Sequence, residues 1–69
     1  MCLAIPARIL RIEGNLAIVD MAGVKREADI RMVSNARVGE YVLIHAGFAI
    51  EKIEEKDAEE TLRLFREIA

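Results

Sequence analysis

The alternation of apolar and polar positions changes character once along this chain. Up to about residue 54, short apolar runs are broken by Gly and Asn; beyond it, apolar positions recur at helical spacing. Ile5 to Ile12 reads as a strand whose apolar parity switches partway. Ile5, Ala7 and Ile9 share one face and Leu10 and Ile12 the other, which predicts a bulge or strong bend. Gly14-Asn15 is a turn signal leading into a second strand, Leu16–Met21, and Ala22-Gly23 turns the chain again. From Val24 to Met32 the alternation is clearest. Lys25, Glu27, Asp29 and Arg31 fall on one side, with Val24, Ala28, Ile30 and Met32 on the other, interrupted by Arg26. A loop over Val33–Arg37 precedes the longest apolar run, Tyr41 to Ala46. Gly47 breaks that run, and Phe48–Ile53 resumes as a last strand.

Five strands in about 50 residues, the first one bent, predict a mainly β fold: a small OB-like five-stranded β-barrel. The C-terminus adds one α-helix over 56–69. There Asp57 with Glu60 three residues later resembles a capping box, and Ala58, Leu62, Phe65 and Ala69, helped by Leu64 and Ile68, make an apolar stripe. The expected organisation is a single domain over 1–69, with the barrel and an N-terminal Cys arm over 1–54.

Composition narrows what such a barrel can do. At 69 residues there is room for one small core and little room for a deep pocket. One cysteine cannot form an internal bridge, so the apolar 54% must supply the stability. No run approaches the length of a membrane span, and the start lacks the basic flank of a signal peptide. A cytoplasmic location is expected, since a lone cysteine suits a reducing compartment. Residues 1–50 carry six Lys/Arg against five Asp/Glu, and residues 51–69 four against seven. Neither half has the basic patch that nucleic acid requires, and three aromatics (Tyr41, Phe48, Phe65) are too few for a base-stacking groove.

The residues with distinctive chemistry are Cys2 and His45. Thiolate and imidazole are good ligands for iron, zinc or copper, yet a catalytic zinc centre takes three protein ligands and a structural one four. Two ligands make an incomplete site, suited to handing a metal on. Removal of Met1 would place an α-amine beside the Cys2 thiol, and the two could chelate together. A Cys–His nucleophilic enzyme would also need an orienting group and an oxyanion site, which nothing in the sequence supplies. Simpler readings stand beside these. Cys2 also reads as a small residue with no role, His45 as a hydrogen-bonded structural histidine, Phe48 and Phe65 as core, and the Glu51–Glu60 run as a solvated approach to the helix.

Three stretches, MCLAIP at the start, VGEYVLIHAGFAI at 38–50 and DAEETLRLF at 57–65, together resemble the HypC/HybG/HupF family of hydrogenase assembly chaperones. The likeness runs over essentially the whole chain, including Gly14-Asn15, Ala17 and Val19-Asp20. Its specific part is Met-Cys-x-x-x-Pro joined to His-x-Gly-Phe-Ala in so short a chain. The resemblance implies a non-enzymatic scaffold in [NiFe]-hydrogenase maturation. Its implied partners are a HypD-like scaffold protein, on which the Fe(CN)2CO group is assembled, and the precursor of the hydrogenase large subunit. No cofactor is held tightly; the iron group is transient and shared. By the same resemblance Cys2 takes part in binding the iron group and in both partner contacts, with His45 alongside it. Pro6, Gly47 and Phe48 match motif positions whose expected duty is to shape the arm and barrel. The chain is shorter than many relatives, which bears on the choice between hydrogenase isoenzymes. The expected contact surface joins the arm (Cys2, Leu3, Ile5, Pro6) to the strand end at His45 and Phe48. The other reading is a small OB-like protein-interaction module with no metal role.

Overall fold

The computed structural model describes residues 4–68, with side chains through residue 64. Five strands, β1 (Ile5–Glu13), β2 (Leu16–Met21), β3 (Val24–Asp29), β4 (Tyr41–His45) and β5 (Phe48–Ile53), precede one helix, α1 (Glu55–Ile68). They close a barrel in the order β1-β2-β3-β5-β4. All neighbours are antiparallel except β3 and β5, which meet in parallel through the single rung Asp29↔Phe48.

The bend expected in the first strand is what lets one strand serve two neighbours. Ile5–Arg8 pair with β4 and Arg8–Glu13 with β2, and the register shifts between Ile9 and Arg11. Around this bulge Ile9 donates its N–H to Glu40 O (2.9 Å) and accepts from Gly39 N–H (2.8 Å), so the irregular backbone stays satisfied. Two hairpins close on Ala-Gly pairs with positive φ at both central residues: Ala22 (+52°) and Gly23 (+92°), then Ala46 (+53°) and Gly47 (+85°). That is the I′ pattern, whose twist matches the strands it joins. Asp20 stiffens the first of them by accepting the Gly23 N–H at 2.9 Å.

The inward residues form the core: Ala7, Ile9, Ala17, Val19, Ala28, Ile30, Val42, Ile44 and Ala49. Four of these nine are alanine, because a five-stranded barrel has a narrow lumen that larger inward side chains would overfill. No polar or charged residue is buried among those described.

Four expectations are corrected. The third strand stops at Asp29 instead of continuing to Met32, which is 65% exposed. The Asp29 carboxylate accepts the Arg31 N–H at 2.9 Å and the Arg31 Nε at 3.0 and 3.1 Å, which folds the chain out of the ladder. Ile30 stays buried, its N–H given to Asn15 O at 2.9 Å. Val24, expected inward, is 50% exposed because it sits beside the hairpin tip at the barrel's end. The helix begins at Glu55, ahead of Asp57, with the Glu54 carbonyl accepting the Ala58 N–H at 3.0 Å. Asp57 therefore lies in the first turn, where its charge suits the helix dipole. Ala58 is fully buried and α1 lies against β1, while Leu64, assigned to the apolar stripe, is 60% exposed. The Phe65 side chain and Ala69 fall outside the described residues.

Candidate functional site

The β4–β5 hairpin sets the geometry of the candidate site. Ile44 and Ala49 turn inward and are buried, so the period of two sends His45 and Phe48 to the outer face. His45 ends β4 and pairs with Phe48 across the Ala46-Gly47 turn. Its imidazole is exposed, with no hydrogen bond to any described residue. Phe48, expected in the core, is 36% exposed for the same reason of parity.

Strand pairing extends these two residues into a row. Phe48 pairs with Asp29, and Asp29 with Leu16, so Leu16, Asp29, Phe48 and His45 run across the outer faces of β2, β3, β5 and β4. At the middle of the row Arg31 Nη2 lies 2.8 Å from Asp29 Oδ2. Hydrogen bonds from the Arg31 side chain and backbone hold the Asp29 carboxyl below its ordinary 3.8, and the same carboxylate raises Arg31. The pair is thus a fixed, internally neutralised ion pair. Two strand spacings, roughly 10 Å, separate Asp29 from His45, which keeps that carboxylate away from the imidazole. Among the described residues no three of His, Cys, Asp and Glu converge.

The first strand enters at this same end. Ile5 is half-buried and pairs with Ile44, the residue before His45. Pro6 pairs with Leu43 and is fully buried, which corrects its assignment to an exposed contact surface. Cys2 and Leu3 lie outside the described residues. Below the strand ends, on the inner face, Ile5, Met21, Ile44, Ala46 and Gly47 line a shallow cleft of about 270 Å³ together with Arg26 and Glu27. Sequence reasoning assigned no function to Arg26. Its signal was present, because Arg26 is the one charge that interrupts the inward alternation of the third strand.

These features can be set beside known proteins. The HupF/HypC family matches residues 1–65. The chain is 45% identical over 69 residues to the hydrogenase maturation factor HypC of Cupriavidus necator, covering 99% of this chain and 77% of that protein. It is 43% identical over 70 residues to HypC of Helicobacter hepaticus, covering 99% and 81%. To HypC of Escherichia coli K12 it is 41% identical over 68 residues, covering 90% and 76%. No helix among the described residues is long and apolar enough to cross a membrane. A family match over nearly the full length, on a closed five-stranded barrel with one C-terminal helix, settles the kinship: the chain belongs to the HupF/HypC family.

Proposed function

We propose that this chain, a hydrogenase maturation factor by its family, acts as a non-enzymatic adaptor in the cytoplasm. It carries the Fe(CN)2CO group between a HypD-like scaffold protein and the precursor of the [NiFe]-hydrogenase large subunit. Cys2 supplies a thiolate and His45 an imidazole; the protein partner of the moment supplies the remaining ligands. The observation that carries this reading is the placement of His45. It is the only histidine of the chain, and it stands exposed at the strand end beside which β1 begins. Three peptide units at about 3.8 Å each keep Cys2 within roughly 11 Å of Ile5 in any conformation, which leaves its thiol able to reach that strand end. A two-ligand site has open coordination positions, which favours transfer over storage. Ile5 and Phe48 give that end apolar surface that a partner would cover.

The test is Cys2→Ala in the full chain. The variant is expected to fold with an unchanged melting temperature, to lose both partner complexes, and to retain no iron when co-purified. Infrared bands of bound CO and cyanide, which lie where proteins do not absorb, are expected in the unvaried complex and absent in the variant. A Cys2→Ala chain that still supports hydrogenase maturation would sink the reading. An unvaried complex free of iron would leave only an interaction module.

A further inference from the structure

The two sides of β3 are unequally used. On one side it pairs with β2 over six rungs, from Leu16↔Asp29 to Met21↔Val24. On the other it meets β5 only at Asp29↔Phe48, where Asp29 donates its N–H to Gly47 O at 2.9 Å. Since backbone groups alternate sides every residue, Glu27 and Lys25 face the same way as Asp29. Among the described residues nothing pairs with their N–H and C=O groups on that side. Of these two open rungs, the one at Glu27 borders the cleft formed by Ile5, Met21, Ile44 and Gly47, and the one at Lys25 continues the same edge.

We propose that this edge of β3 is a docking strand for an extended segment of a protein partner, which pairs with Lys25 and Glu27 and lays an apolar side chain into the cleft. The chemistry of the edge selects the occupant. A donor and an acceptor repeated every second residue are matched by a peptide backbone in β conformation. The inward face supplies aliphatic side chains, and alternate residues of an added strand point into it. Arg26 lies on that inward face with no ion pair to any described residue. A carboxylate two residues from the apolar side chain would meet it. On the outer face Lys25 and Glu27 are exposed and charged, which discourages indiscriminate strand pairing and leaves the edge to a matching sequence. The inference rests on the adaptor reading for its partners but not on iron: the edge would serve an apo complex equally.

The experiment uses the full chain with the HypD-like scaffold protein and, separately, the large-subunit precursor of the same organism. Proline at 25 or 27 removes an edge N–H without touching the β2 ladder, a place where strands tolerate it. Lys25→Pro and Glu27→Pro are expected to weaken at least one complex by about tenfold, the worth of one or two backbone hydrogen bonds. Lys25→Ala and Glu27→Ala, which keep the backbone, are expected to weaken it by less than about threefold. In the unvaried chain, amide exchange at Lys25 and Glu27 is expected to slow in that complex. This second readout decides the matter if the proline variants do not fold. Complexes that form with both amides still exchanging fast, or proline and alanine variants that bind alike, overturn the docking strand and leave the adaptor reading standing. An unvaried chain that binds neither protein overturns both.

Discussion

Ile44 and His45 are adjacent in sequence and belong to different problems. Ile44 faces the lumen, in one core cluster with Ala7, Ile9 and Ala49, while His45 faces outward, exposed and with no hydrogen bond to a described residue. The same contrast holds across the turn between Ala49, fully buried, and Phe48, exposed. One hairpin thus builds the barrel with its inner residues and offers chemistry with its outer ones. A protein this small cannot set aside separate elements for stability and function, so it divides them by strand face.

That division is open to direct attack, and its inner half should break hardest. Ile44→Ala leaves a cavity in a core already made of small side chains, and large-to-small changes of this kind cost about 2–5 kcal/mol. Small domains have little stability in reserve. We expect a melting temperature lowered by many degrees in thermal denaturation, and partial unfolding at ambient temperature. If Ile44→Ala melted within a degree or two of the unvaried chain, the lumen would not be the structural half.

The turn comes next. Gly47 holds φ at +85°, and a Cβ added there would meet nothing within 4 Å, so any cost is conformational and not a clash. Gly47→Val should lose about 1–3 kcal/mol, and Gly47→Asn, which accepts a left-handed backbone more readily, distinctly less. Denaturant titrations of the two variants side by side decide this. Equal losses would mean that the closing turn is held by something other than its φ.

Much of this was legible in the sequence where a local rule governs. The parity switch after Ile9 announced the bulge because a strand buries alternate residues, and the pairs at 14–15 and 22–23, with the break at Gly47, announced the hairpins. What was illegible depends on partners distant in sequence or on side-chain geometry. The alternation Lys25, Glu27, Asp29, Arg31 continues past the point where β3 ends; only the clamp between Asp29 and Arg31 ends it. Asp57 looks like a cap, but the chain enters the helix earlier, through the Glu54 carbonyl. Phe48 reads as core by composition and is turned outward by its register against His45. Arg26 was visible as an interruption, but its place at the barrel mouth required knowing that β3 and β5 share a single rung.

The outer half of the hairpin should show the opposite balance. His45→Ala removes an exposed side chain, a change worth less than about 0.5 kcal/mol of stability, yet it takes away one of the two proposed donors. We expect an unchanged melting temperature and reduced iron in the co-purified complex, read by metal analysis. A large drop in melting temperature with iron retention intact would return His45 to the barrel and erase its difference from Ile44.

The smallest effect concerns the ion pair that divides the outer row. Hydrogen bonds from Arg31 lower the Asp29 carboxyl from its ordinary 3.8. A carboxyl depressed in the folded state binds protons less readily than in the unfolded chain, so its contribution is present above about pH 4 and fades as pH falls through the lowered value. Acid should therefore loosen the turn after β3, and with it the rung Asp29↔Phe48 that closes the barrel. Asp29→Asn removes that carboxylate at every pH. Its stability relative to the unvaried chain should be slightly lower at pH 7, and the gap should narrow as pH falls toward 2 and the native carboxylate takes up its proton. Melting temperatures measured across that range test the sign. A deficit in Asp29→Asn that persists undiminished at low pH would mean that the clamp works through shape alone, and that the outer row is held by packing, as the inner one is.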